Sequence, residues 1–151
     1  MDTREISEGI SIGGQPTAED LQQAGEQGFR TVINLRTDDE AGVLTEEERL
    51  VEGAGMTYAP IPVAPDTLDD IAVERFSQAL ASVDALPAYV HCKSGGRAGV
   101  MTLLHLAIYH GWSLEQTLQE GEKRGNIAPA PDSPYRAFFE SFIRRHSAGE
   151  R

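Results

Sequence analysis

The run His91-Cys92-Lys93-Ser94-Gly95-Gly96-Arg97-Ala98-Gly99 concentrates the residue types that nucleophilic chemistry on an oxyanion requires, and it holds the chain's one cysteine. A short apolar run, Ala88-Tyr89-Val90, precedes it and a longer one, Val100 to Tyr109, follows. That order reads as strand, tight loop, helix. Such a loop turns successive backbone N–H groups toward one point, and the helix N-terminus adds its own partial charge, so the concavity binds a tetrahedral anion such as phosphate. Cys92 is the expected nucleophile at its floor. A free thiol titrates near about 8.5, and helix N-termini and nearby cations lower that value. Inert burial in the core is the alternative for a lone cysteine, and it fits a strand followed by a Gly-Gly-Arg turn less well.

The neighbours of Cys92 divide the remaining work. Arg97 offers a fork of donors to two phosphoryl oxygens, where a surface arginine is the bland alternative. Gly95 and Gly96 allow positive φ and close approach of backbone to ligand. Lys93 and Ser94 contribute chiefly their amides. His91 reads as a hydrogen-bonded support beneath the loop rather than an acid or base. Ester cleavage also needs a proton donor for the leaving oxygen. Asp66, in Ala64-Pro65-Asp66-Thr67, is the best placed, with a turn or capping role as its alternative. Asp38 and Asp39 are weaker candidates from a neighbouring loop, and Asp69 and Asp70 look like first-turn helix residues. Arg36 either recruits the anion or braces the site through a salt bridge.

These residues need a scaffold that brings distant loops together. Ile10 and Ile12 mark a short edge strand or turn. Thr17 to Asp20 forms a capping box for a helix that ends near Gly28, with Leu21 and Ala24 on its apolar side. Thr31 to Leu35 is a buried strand. Thr45 caps a second helix, with Glu48 at N3, running to about Gly53. Thr57 to Val63 is an edge strand interrupted by Pro60 and Pro62. Thr67 opens a third helix whose buried face is Ile71, Phe76, Leu80 and Val83. Pro87 introduces the strand that delivers Cys92. Gly99 to His110 is an apolar helix ended by Gly111, and Ser113 caps the next. Residues 121–133 are mostly loop. Pro134 starts a final helix carrying Phe138, Phe139, Phe142 and Ile143, and the last five residues fray. Alternation of strand and helix predicts an α/β architecture, a central and largely parallel sheet of four or five strands flanked by helices in three layers. The loops after Leu35, Val63 and His91 then meet at the carboxyl ends of the strands, where such sheets bind ligands.

Bulk properties narrow the ligand. The 151 residues fit one domain spanning 1–151. A net charge of -11 argues against nucleic acid and against anionic membrane as partners. A small anion held by a local nest of amides remains compatible with it. One cysteine excludes an internal disulfide framework. Residues Met1 to Glu5 show no basic-then-apolar leader pattern, and no run approaches about 18 apolar residues. The expectation is a cytoplasmic monomer acting on a phosphorylated protein or a small phosphate ester.

His91-Cys92, followed by glycine and then arginine, resembles the signature of cysteine-dependent tyrosine and dual-specificity phosphatases. Three segments resemble more closely the beta-lactamase-hydrolase-like family of bacterial, atypical dual-specificity-like phosphatases: Ile12-Gly13-Gly14-Gln15-Pro16-Thr17-Ala18-Glu19-Asp20-Leu21, Gly28 to Arg36, and His91 to Arg97. The likeness runs from about residue 7 to 110. It implies a cysteine-phosphatase-like fold and phosphomonoester hydrolysis through a cysteinyl-phosphate on Cys92. Arg97 and the loop amides would bind the phosphoryl oxygens, Asp66 would protonate the leaving group, and neither metal nor other cofactor is implied. Two features depart from the signature. Only four residues separate Cys92 from Arg97 where five are usual, and Ala98 stands where serine or threonine usually helps the thiolate leave, which implies slow turnover of the intermediate. The shorter loop also resembles rhodanese-like sulfurtransferases, with a persulfide on Cys92 and no need for Asp66. A catalytically weak phosphate-binding module and a redox-regulated thiol protein also fit the lone cysteine and its loop.

Overall fold

Strands of four residues that are buried along their whole length belong in the middle of a sheet covered on both faces, and Ala88–His91 is such a strand. The structure of the chain is a computed structural model that describes residues 3–147. Its sheet has five strands: β1 Thr3–Ser7, β2 Ile10–Gly13, β3 Thr31–Asn34, β4 Thr57–Pro60 and β5 Ala88–His91. Their order is β1-β2-β5-β3-β4. β1 pairs antiparallel with β2, and every other pairing is parallel. The described helices are α1 Ala18–Glu26, α2 Glu47–Gly53, α3 Asp70–Ala81, α4 Gly96–His110, α5 Leu114–Lys123 and α6 Arg136–His146.

Alternation along the strands assigns residues to two cores. Val32 and Tyr89 join Leu21 and Ala24 of α1 and Val51 of α2 on one face. Ile33, Ala88 and Val90 pack on the other face with Phe76 of α3, Met101 and Leu104 of α4, and Phe139 and Phe142 of α6. The result is the three-layer arrangement the sequence predicts.

Several local expectations change. Ile10 and Ile12 lie in an interior strand, because β1, which carries no strand pattern of its own, takes the edge. Thr45 does not cap α2. The helix starts at Glu47 behind Glu46, with no side-chain cap, and Glu48 falls one position short of N3. Thr67 closes a turn by donating its N–H to the Ala64 carbonyl at 3.1 Å, and its hydroxyl accepts from the Ala64 N–H at 3.2 Å. Asp69 is the cap of α3, accepting from the Ala72 N–H. With the helix in that phase, Ala72, Val73, Phe76 and Leu80 turn inward. Ile71 is 57% exposed, and Val83, beyond the C-cap, is 97% exposed. α4 begins at Gly96, three residues earlier than expected, so Arg97 is helical. The final helix starts at Arg136 rather than Pro134. Of the tail expected to fray, Ser147 is described and buried. Residues 148–151 lie outside the described residues, as do Met1 and Asp2 at the start of the segment without a leader pattern.

Candidate functional site

Four parallel strands end on one edge of the sheet, so four loops meet there: the three anticipated and a fourth, Gly14-Gln15, after β2. The Gly-Gln-Pro segment lies along the flank of the cysteine loop. Cys92 N–H donates to the Gly13 carbonyl at 3.3 Å, and Gln15 N–H donates to the Lys93 carbonyl at 3.3 Å. Gly14 bridges Ser94, and a Cβ on Gly14 would stand 2.8 Å from the Lys93 oxygen, so only glycine permits this approach.

Within the loop, Gly95 takes φ 102° as the N-cap of α4. That left-handed turn directs its N–H to Cys92 Sγ at 3.0 Å. The sulfur therefore faces an amide donor and the amino end of a helix. Cys92 is buried, yet it lines an open cavity of about 1110 Å³ together with Lys93 to Arg97, Gln15 and Tyr135. Ala98, next in the chain, is fully buried.

Arg97 is fixed by Glu40, a residue not singled out by its place in the sequence. Arg97 Nη1 and Nη2 donate to Glu40 Oε2 and Oε1, each at 2.7 Å, and Nη1 also donates to the Val63 carbonyl at 3.0 Å. Glu40 accepts in addition from the Thr37 N–H at 2.7 Å. The Arg97 guanidinium holds the Glu40 carboxyl far below the usual carboxylate range, against the opposing effect of burial, and Glu40 in turn raises Arg97. Nε–H and the second Nη2–H share the remaining edge of the guanidinium. Neither has a protein partner among the described residues, and together they match two oxygens of a phosphoryl group.

Arg36 does not line this cavity. Its side chain is buried and donates to Glu40 Oε1 at 3.2 Å, to Gln15 Oε1 at 2.8 Å, and to the carbonyls of Gly42 and Ala41. It braces the loop that presents Glu40. Gln15 continues the network, donating Nε2–H to Glu47 Oε1 at 2.8 Å. Glu47 is 2% exposed, and its Oε2 accepts from His91 Nε2 at 2.5 Å. His91 lies stacked on Tyr89, with Nδ1 3.3 Å from the Cys92 carbonyl. A line of side chains thus runs from His91 through Glu47, Gln15, Arg36 and Glu40 to Arg97. His91 is fully buried at the far end of this line.

The acidic candidates are dispersed. Asp66 is exposed at the tip of the 64–67 turn and is not part of the cavity wall, although its charge helps raise the Tyr135 phenol, which is raised mainly by burial. The turn follows Val63, whose carbonyl touches Arg97. Asp38 and Asp39 are exposed, and Asp39 accepts from the Thr37 hydroxyl. Asp69 caps α3 and Asp70 pairs with Arg145 at 2.6 Å. Glu40 escaped notice because it closes an acidic run that reads as a solvated loop. The signal that could have found it is its spacing of four from Arg36.

One family, described as "Beta-lactamase hydrolase-like protein, phosphatase-like domain", matches residues 2–118. A beta-lactamase hydrolase-like protein of Agrobacterium fabrum is 36% identical over 106 residues, 68% of this chain and 24% of that protein. The chain therefore spans about a quarter of the length of that curated relative. A DUF442 protein of Shewanella putrefaciens CN-32 superposes with a TM-score of 0.77 at 23% identity, covering 96% of this chain and 93% of its own. PTPMT1 superposes with a TM-score of 0.72 at 21% identity, covering 95% of each chain. The chain thus shares the three-layer, phosphatase-like fold of these proteins. Among the described residues, no helix is long and apolar enough to cross a membrane.

Proposed function

This chain belongs to the family of beta-lactamase hydrolase-like, phosphatase-like domains, and from that premise we propose that it hydrolyses phosphomonoesters through a cysteinyl-phosphate. The observation that supports this most is the pairing of Cys92 Sγ, facing the Gly95 amide, with an Arg97 whose Nε/Nη2 edge is unclaimed in the same cavity. The substrate phosphoryl group sits in the loop of amides from Lys93 to Gly96, with two oxygens on Arg97. The Cys92 thiolate attacks phosphorus; the P–S bond forms as the ester P–O bond breaks. Asp66 supplies the proton to the departing oxygen, the 64–67 turn lying next to the Val63 carbonyl that Arg97 touches. In the second half, Asp66 as carboxylate takes a proton from water, the water oxygen attacks phosphorus, and the P–S bond breaks to return the thiolate and inorganic phosphate.

The test is a paired assay on the reduced protein and its Cys92→Ser variant, with p-nitrophenyl phosphate hydrolysis beside thiosulfate-to-cyanide sulfur transfer. Phosphate release that depends on Cys92, without sulfur transfer, is the expected result. Sulfur transfer without phosphate release overturns it in favour of the rhodanese-like reading of the short loop.

A further inference from the structure

Cations in this acidic chain mostly find partners. Among the Lys and Arg side chains of the described residues, eight are in ion pairs. Arg4, Arg30, Arg75 and Lys93 are not. Two of those four, Arg4 and Lys93, line the cavity that holds Cys92 and Arg97. The one acidic residue of that wall, Asp20, is tied into the capping box of α1, where it accepts from the Thr17 N–H at 2.9 Å.

Arg4 is placed by the fold. It pairs with Ile12 on β2, which pairs with Val90 on β5, two residues before Cys92. At the usual strand spacing and rise, the Arg4 and Cys92 Cα atoms are about 12 Å apart. Its guanidinium rests over Gly125, where an added Cβ would stand 2.5 Å from Nη1. Gly125 has φ +96° and Asn126, which lines the cavity, has φ 59°. The left-handed turn after α5 therefore makes a seat for Arg4 at the cavity wall.

Building on the phosphatase reading, we propose that the substrate is a small molecule with two anionic groups: the phosphoryl group at Cys92 and a second phosphate held by Arg4 and Lys93. A second phosphate meets two cations with no ion-pair partner among the described residues, which favours it over a neutral group at the same place. In a chain of net charge -11, a wall with two such cations and one acid is a local exception that favours an anion. A cavity of about 1110 Å³ has room for the whole of a small substrate.

The experiment is calorimetric titration of the Cys92→Ser protein with hexanediol bisphosphate and with hexyl phosphate, repeated in the Arg4→Ala and Arg4→Lys backgrounds. The bisphosphate is expected to bind at least about tenfold more tightly at low salt, with the preference lost in Arg4→Ala and largely kept in Arg4→Lys. Affinity for hexyl phosphate should be the same in all three. Equal affinities for the two esters in the parent, or a preference that survives Arg4→Ala, overturns the assignment. So does tighter, Arg4-dependent binding of a phosphotyrosine peptide, which gives the site to a protein substrate. Turnover of p-nitrophenyl phosphate with Cys92 present judges the hydrolytic reading separately. If neither ester binds, the phosphate site and this inference fall together.

Discussion

Glu40 holds Arg97 through both carboxylate oxygens, each 2.7 Å from a guanidinium nitrogen. This end-on grip leaves the Nε/Nη2 edge as the only unclaimed pair of donors on Arg97 among the described residues. The acid therefore sets the direction from which a phosphoryl group can be clamped. Glu40→Gln keeps the size but loses the charge and one acceptor oxygen. With Arg97 free to turn, kcat/KM for p-nitrophenyl phosphate is expected to fall by about tenfold to a hundredfold, since misplacing a positioned group by about 1 Å costs rates of that order. Unchanged kcat/KM and unchanged vanadate inhibition would remove Glu40 from any positioning role.

The same pair gives the fold a pH dependence. Arg97 lowers the Glu40 carboxyl from its ordinary value of 4.5. A carboxylate lowered in the folded state adds stability that is fully present above its unfolded value and is lost as pH falls below it. Urea midpoints of the parent should therefore drop faster than those of Glu40→Gln on acidification from about pH 5 toward pH 3, and the gap between the two should narrow. Asp70, lowered by Arg145, acts in both proteins and cancels in the comparison. Parallel curves would refute the linkage.

What the sequence disclosed follows from how local each signal is. The strand, loop and helix around Cys92 are written in one contiguous run, and the capping boxes at Thr17 and Ser113 each need only four residues. The supports of the site are not local. Glu47 looks like an ordinary first-turn acid of an exposed helix, and nothing near it in the chain says that His91, 44 residues later, will bury it. β1 was missed because Thr3 to Ser7 has a single buried residue and is a strand only through pairing with β2. Thr45 and Thr67 fit the capping pattern, but the caps fall one and two residues later, at Glu46 and Asp69.

Glu47 and His91 form a buried pair whose second oxygen is satisfied by Gln15. Removing one member leaves the other buried without its partner, a change that typically costs about 3 kcal/mol or more. Glu47→Ala is expected to lower the unfolding free energy by about that amount, read from urea denaturation, and to slow catalysis as the Cys92 loop loses its support. A loss within about 0.5 kcal/mol, the range of ordinary surface substitutions, would show that the pair contributes nothing.

Asp66 stands on an exposed turn, so its role as acid is best read from the leaving group. Asp66→Asn should slow hydrolysis of alkyl phosphates far more than that of p-nitrophenyl phosphate, whose leaving oxygen needs little help from a proton. Equal slowing of both, or none, moves the acid to another residue, and Tyr135, on the cavity wall, would be the next candidate.

Ala98 follows Arg97 in the first turn of α4, without a hydroxyl, and it is fully buried in the core. Without a hydroxyl to stabilise the departing thiolate, breakdown of the cysteinyl-phosphate is expected to limit turnover. A pre-steady-state burst of p-nitrophenol, close to one equivalent per protein, is then the expected kinetic form. Ala98→Ser adds one oxygen at a site with little spare room, so a small loss of stability is expected beside the gain in rate. The steady-state rate should rise while the burst amplitude shrinks, because the second step no longer lags the first. A linear time course in the parent, with no burst, would place the slow step before the intermediate and make the missing hydroxyl irrelevant to turnover.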